Sequence, residues 1–139
     1  MLSNTKLCII TLLKTNSRVL EALGKVLKQH DISLQQFNVL RILRGQKGEA
    51  ANLSTVQDRM VNRMSNTTRI VDKLIDKNFV QRSICEKNRR KIELFITEEG
   101  GSLLTLLDQL VDEVETQLTD QLNADEKQHL ISLLNKINY

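Results

Sequence analysis

The chain has 139 residues, 40 % of them apolar but only 3 % aromatic, with no proline, five glycines and a formal charge of +3. That length suits one domain with a real core, and the missing proline favours helices joined by short connections. Two cysteines, Cys8 and Cys85, exclude a disulfide framework, so the expected compartment is a reducing cytoplasm.

The apolar run Leu7-Cys-Ile-Ile-Thr-Leu-Leu13 is far shorter than the roughly 20 residues a membrane span needs. It has one preceding lysine and no small-residue cleavage site, so neither a signal peptide nor membrane contact is expected. A first helix is predicted over about residues 3–29. There Leu7, Ile10, Leu13, Leu20, Leu23 and Leu27 recur at helical spacing, and Ile9, Leu12, Val19 and Val26 widen the stripe. Ser33-Leu-Gln-Gln36 reads as a capping box, opening a helix that buries Leu34, Phe37, Leu40 and Leu43 and ends near Gly45. A second box, Ser54-Thr-Val-Gln57, starts a short helix to about Met60. After a turn around Val61 and Asn62 the next helix runs to about Asn78. Two short helices joined by a tight turn make a helix-turn-helix pattern.

Spacing the residues of that later helix at about 100° each separates two faces. Met64, Thr67, Val71, Leu74, Ile75 and Asn78 gather on one side; Ser65, Asn66, Arg69, Asp72, Lys73 and Asp76 gather opposite. Hydroxyl, amide and guanidinium groups in the first half of the outward face can bond base edges and phosphates when a helix N-terminus enters a major groove. The period then changes to alternation. Val80, Arg82 and Ile84 share one face of a strand, and Ile92, Leu94 and Ile96 form the inward face of its partner. The turn between them, Glu86-Lys-Asn-Arg-Arg-Lys91, carries four cations and suits the negative potential of a narrow minor groove. Thr97 caps the next helix, with Glu98 and Glu99 in its first turn and Leu103, Leu107, Leu110, Val114 and Leu118 as its stripe. Asn123-Ala-Asp-Glu126 caps a last helix bearing Leu130, Ile131, Leu133, Leu134 and Ile137. These terminal stripes exceed what a small winged core covers, and the surplus reads as a subunit interface, with a helical bundle within one chain as the alternative.

Charge is distributed unevenly. Residues 59–91 hold ten basic side chains against three acidic, a net of +7, while residues 92–139 hold ten acids against two bases, a net of −8. Clustered cations on a helix and an adjoining hairpin turn are the footprint of a polyanion-binding surface. A solvated charged face would explain the charge alone, but not its concentration on those two elements. The competing class is a winged-helix module that binds protein. It has no need of cations at both places. Enzyme chemistry finds no support: His30 and His129 lie far apart, and the sequence has no paired-histidine zinc motif, no Cys-x-x-Cys and no phosphate-cradling glycine loop. No catalytic residue, metal site or cofactor is therefore assigned. Glu98-Glu99 and Asp112-Glu113 read as dipole-complementing and solvating charges.

Six segments, in order and at the right spacing, resemble the MarR family of winged helix-turn-helix regulators from Asp31 to Tyr139. Ile32-Ser-Leu-Gln-Gln-Phe-Asn-Val-Leu-Arg-Ile-Leu43 resembles the family's second helix, and Val56-Gln-Asp-Arg-Met60 its first motif helix. Asn66-Thr-Thr-Arg-Ile-Val-Asp-Lys-Leu74 resembles its recognition helix, and Phe79-Val-Gln-Arg82 the approach to its wing. Asn88-Arg-Arg90 stands at the Asp-x-Arg wing signature and Ile96-Thr-Glu-Glu-Gly100 at Leu-Thr-x-x-Gly. The resemblance implies a mainly α fold with a small β-hairpin wing, in a single domain over 1–139. The winged helix-turn-helix lobe would span about 33–97, with dimerisation helices at about 1–30 and 98–139. It implies a DNA-binding transcriptional regulator, a repressor, that reads a pseudo-palindrome as a homodimer and is released by a small-molecule effector seated between the dimer helices and the DNA-binding lobe. The sequence identifies no ligand.

By position, Ser65, Asn66, Thr67 and Arg69 become base or phosphate contacts and Arg90 the wing arginine; Arg63 and Lys73 are expected to join the recognition-helix contacts, and Lys87, Asn88, Arg89 and Lys91 those of the wing. Leu7, Ile10, Leu13, Leu118, Leu130, Leu133, Leu134 and Ile137 become dimer contacts. Asn88 replaces the family's aspartate, which would hold the wing arginine by an ion pair; an amide still accepts a hydrogen bond. One branch of the family senses hydroperoxides through a first-helix cysteine bonded by tyrosines. Tyr139 is the only tyrosine here, so Cys8 is expected to be a small buried hydrophobe.

Overall fold

The computed structural model describes every residue except Gly48, 62–65, Arg89 and Arg90. The described residues form α1 (Asn4–Lys28), α2 (Leu34–Gly45), α3 (Leu53–Arg59), α4 (Thr67–Asp76), β1 (Val80–Ile84), β2 (Ile92–Ile96), α5 (Glu98–Leu118) and α6 (Ala124–Leu134). Each helix starts at a side chain that satisfies an amide its first turn leaves free. Ser3, Ser33, Asn52, Asn66, Thr97 and Asn123 accept from Lys6, Gln36, Thr55, Arg69, Gly100 and Glu126 respectively. The box expected at Ser33 is complete, with Gln36 reaching back to the cap amide, and the cap expected at Asn123 is itself a full box closed by Glu126. The cap of α3 is Asn52, two residues before the expected Ser54.

Helix ends are as specific as their starts. Asn78 adopts a left-handed φ of 65°, its N–H bonds the Ile75 carbonyl at 2.9 Å, and Phe79 N–H bonds that of Leu74 at 3.0 Å. This closes the last turn of α4 and sends the chain into β1. Asn78 is thus exposed and outside the helix, not on its buried face as the wheel placed it. Asp31, at φ 56°, ends α1 by the same pair of bonds, Asp31 N–H to Lys28 and Ile32 N–H to Leu27. Asn and Asp reach this region at less cost than other non-glycine residues.

The core is one cluster. Leu27 of α1, Val39 and Leu40 of α2, Val56 of α3, Leu74 of α4, Val80 and Leu94 of the hairpin, and Leu104 and Leu107 of α5 are all fully buried. Complete burial of such side chains stabilises by about 1.5–3 kcal/mol each. On α5 the buried positions are Gly100, Leu104, Leu107 and Val111; Leu103, Leu110 and Val114 flank them half-buried, and Leu118 is 40 % exposed. The expected stripe therefore lies about one position to the side of the true core line. No residue of α6 is buried.

The hairpin pairs Val80 with Ile96, Arg82 with Leu94 and Ile84 with Ile92. Those residues share a face, but only Val80 and Leu94 are buried there; Arg82, Ile84 and Ile92 are exposed because the hairpin runs out past the core. Ala51 bridges to Leu94 by bonds of 3.1 and 2.7 Å, adding a short third edge unforeseen in the sequence. Cys8 is exposed on the outer half of α1, against the expectation of burial, and Cys85 is half-buried.

Candidate nucleic-acid interface

Val56 and Met60 anchor α3 in the core, and Val71 and Leu74 do the same for α4. Their outer faces are thereby fixed by packing against α2. Asn66 Oδ1 accepts the Arg69 N–H at 3.2 Å, so part of its amide is committed to capping α4 and its NH2 group is left for another partner. The signal for this role was local: an asparagine directly before a helical stripe. Thr68, Arg69, Asp72, Lys73 and Asp76 are exposed. Thr67 is 4 % exposed and faces the core, as its position on the wheel requires, so the contact the resemblance implies for it is withdrawn. Arg63 and Ser65 lie outside the described residues.

Asn66, Arg69 and Lys73 border a groove of about 270 Å³ shared with Ser33 and Gln35 at the start of α2. Lys77 is spent elsewhere. Its ammonium donates to the Asp31 carbonyl and stands 3.4 Å from the Asp31 carboxylate, tying the end of α4 to the α1–α2 connection. Beyond the strands, Cys85 N–H bonds the Lys91 carbonyl at 3.0 Å and Lys91 N–H bonds that of Asn88 at 2.9 Å. The ladder thus continues one pair further than expected, to Cys85 and Lys91. Lys87, Asn88 and Lys91 are exposed there; Arg89 and Arg90 lie outside the described residues.

The base of the wing is locked to α5. Thr97 Oγ1 donates to the Asn78 carbonyl at 2.7 Å and accepts from Gly100 N–H at 3.0 Å, while Thr97 N–H bonds the Phe79 carbonyl at 3.0 Å. One threonine therefore fixes the end of α4, the start of β1 and the first turn of α5. Adjoining the groove at Asn66 and Arg69, and sharing Ser33, Gln35, Gln36 and Lys73 with it, is a cleft of about 700 Å³ between α1, α2 and α4, with Leu20, Gly24 and Ile32 as apolar lining and Lys28, Lys73 and the Lys77–Asp31 pair at its rim. The dimer candidates Leu7, Leu13, Leu118, Leu130, Leu133, Leu134 and Ile137 are 40–62 % exposed, and Ile10 is half-buried. His129 is exposed, and no described group of His, Cys, Asp and Glu is placed to hold a metal ion. No helix of the described residues is long and apolar enough to cross a membrane.

The MarR family model matches residues 32–92, from the start of α2 to the wing. A crystallised MarR transcription factor from Planctomyces limnophilus is 30 % identical, with 99 % of each chain covered and a TM-score of 0.76. A cysteine-to-serine mutant of MarR from Escherichia coli, complexed with operator DNA, is 26 % identical over 91 % of this chain and 89 % of that one, at a TM-score of 0.81. Among curated relatives, the HTH-type transcriptional regulator PecS of Dickeya dadantii is 28 % identical, covering 94 % of this chain and 80 % of its own length. The transcriptional repressor MprA of E. coli is 27 % identical, covering 96 % and 73 %. With the helix-turn-helix, wing and flanking helices all in place, this chain belongs to the MarR family and is a DNA-binding transcriptional regulator.

Proposed function

We propose that this regulator represses transcription as a homodimer on a pseudo-palindromic operator, with α4 in the major groove and the wing in the minor groove of each half-site. The observation that carries the proposal is the outer edge of the α3–α4 unit, where Arg69 and Lys73 stand exposed behind the capped N-terminus of α4, together with exposed Lys87 and Lys91 on the wing. Arg63, Ser65, Asn66, Arg69 and Lys73 are the assigned groove contacts; Lys87, Asn88, Arg89, Arg90 and Lys91 are those of the wing. The operator-bound E. coli relative supports the docking and MprA supports repression. Dimerisation rests on the exposed apolar faces of α1 and α6. The cleft at Lys28, Lys73 and Lys77 is the assigned seat of a small effector, because an occupant there touches both the long helix α1 and, through Lys73, the helix α4 assigned to DNA. Such a protein works in the cytoplasm and has no catalytic role.

Duplex binding tests the reading. Each phosphate contact contributes roughly −0.9 to the slope of log affinity against log salt, so two subunits should give a slope steeper than about −4. A slope near zero would point to the protein-binding alternative. Arg69→Ala should cost about 1–3 kcal/mol on the specific site and flatten discrimination at one position per half-site. Affinities on specific and scrambled duplexes check this, and equal loss on both would remove Arg69 from base reading. Asn66→Ala should also destabilise the fold by about 1 kcal/mol through loss of its cap.

A further inference from the structure

On the side of α2 away from the Ser33 groove lies a second groove, of about 280 Å³, lined by Asn38, Arg41, Ile42, Arg59 and Val61. Arg59 is the last residue of α3 and Val61 leads into the connection to α4, so this groove adjoins the helix-turn-helix turn. Arg41 and Arg59 are both exposed, and neither has an ion-pair partner among the described residues. Arg44, further along α2, is instead bound to Asp108. The Arg41 guanidinium sits 5.6 Å from the centroid of the Phe37 ring, which holds it in place while its N–H donors stay available. Val61 is 85 % exposed beside these two cations.

Each feature has a plain structural account taken singly. Arg59 complements the C-terminal end of the α3 dipole, and Arg41 gains from the aromatic face. Neither account explains why two guanidiniums with no ion-pair partner among the described residues line one groove together with exposed Val61 and half-buried Ile42. Cations alternating with apolar surface match a polymer in which charged phosphates alternate with apolar sugar faces. A free phosphate would use only the guanidiniums.

We propose that this groove seats the sugar–phosphate backbone of one DNA strand, outside the bases that α4 reads. Arg41 and Arg59 donate to phosphate oxygens, Asn38 supplies a further donor, and Val61 and Ile42 lie against deoxyribose. The contact positions the lobe and carries no sequence information of its own. The proposal rests on the DNA-binding reading above, and the experiment separates the two.

Wild type, Arg41→Gln/Arg59→Gln, Arg41→Lys/Arg59→Lys and Arg44→Gln are titrated with a specific and a scrambled duplex at several salt concentrations. The glutamine pair should bind both duplexes more weakly by a similar factor. Its salt slope should be shallower by roughly 3 to 4, from two guanidiniums in each of two subunits at about 0.9 apiece. The lysine pair keeps the charges and should keep most of the slope, and Arg44→Gln should leave it unchanged. An unchanged slope in the glutamine pair, with wild type still steep, overturns the groove and spares the DNA-binding reading. A flat slope in wild type overturns that reading itself. A loss as large in Arg44→Gln would mean that bulk charge, not this groove, sets the effect. A loss confined to the specific duplex would mean that the groove reads sequence, and would overturn the proposal as well.

Discussion

Deleting residues 124–139 is expected to leave a folded monomer that binds an operator about 100- to 10,000-fold more weakly than the whole chain, because two half-site contacts act together only while tethered. The fold should survive, since none of its core comes from α6: the buried cluster ends at Val111, with Val114 packed against it. What the deletion removes is an apolar face. Leu130, Leu133, Leu134 and Ile137 follow helical spacing and are 40–47 % exposed, while Leu7, Leu13 and Leu20 on α1 are 45–62 % exposed. Contiguous apolar surface of this kind marks an association site in a soluble protein. Sedimentation at several concentrations, a thermal melt and an operator titration check the three parts together. A truncated chain that stays dimeric would move the interface off α6. One that melts without cooperativity would show that α6 supports the lobe directly.

How far the sequence foretold this architecture depended on whether a feature was local or tertiary. The box at Ser33 and the cap at Asn123 were readable because each joins residues three apart and needs nothing else. The cap of α3 was not, since Ser54-x-x-Gln57 fits the same pattern as well. Pairing of Ala51 with Leu94 fixes the chain immediately upstream, and the helix starts at the first polar residue after it, Asn52. On α5 the doublets Leu103-Leu104, Leu106-Leu107 and Leu110-Val111 leave the inward line undecided until α1 packs alongside. Cys8 was placed in a core that covers only the second half of α1, where Leu23 and Leu27 are buried.

The candidate site divided in the same way. The basic character of the wing tip and the outward position of Arg69 and Lys73 came through charge and periodicity alone. For Thr67 the two lines of reasoning disagreed, its wheel position pointing inward and its place in the family pattern pointing outward. Burial settles it in favour of the wheel. Asn66 was on the correct face, but its capping bond to Arg69 was overlooked because the helix was expected to begin earlier. The groove at Arg41 and Arg59 joins residues 18 positions apart on different helices, which no local pattern connects.

Gly100→Ala should be strongly destabilising, while Gly101→Ala, one residue along, should be neutral or stabilising. A Cβ on Gly100 would lie 2.3 Å from the Phe79 carbonyl oxygen and 3.0 Å from Ile96 Cγ1. The oxygen cannot step aside cheaply. It accepts the Thr97 N–H at 3.0 Å, and the Phe79 N–H is itself held by Leu74 at 3.0 Å. Relieving the clash means pushing α5 away from the base of the wing. Overpacking a tight site costs typically about 1–3 kcal/mol and occasionally more. Losing the Thr97–Phe79 bond adds about 1 kcal/mol. Against a domain stability of about 5–15 kcal/mol that is a large share, and a fall in Tm on the order of 10 °C is expected. A Cβ on Gly101 meets nothing within 4 Å. Alanine there should gain about 0.5–1 kcal/mol of helix propensity. Melting the two variants beside wild type reads both signs in one experiment. Because α5 carries the wing through Thr97, Gly100→Ala should also weaken duplex binding at temperatures where the protein is still folded, and Gly101→Ala should not. If Gly100→Ala melts with wild type, the close packing of α5 on the base of the wing is not what holds the wing in place.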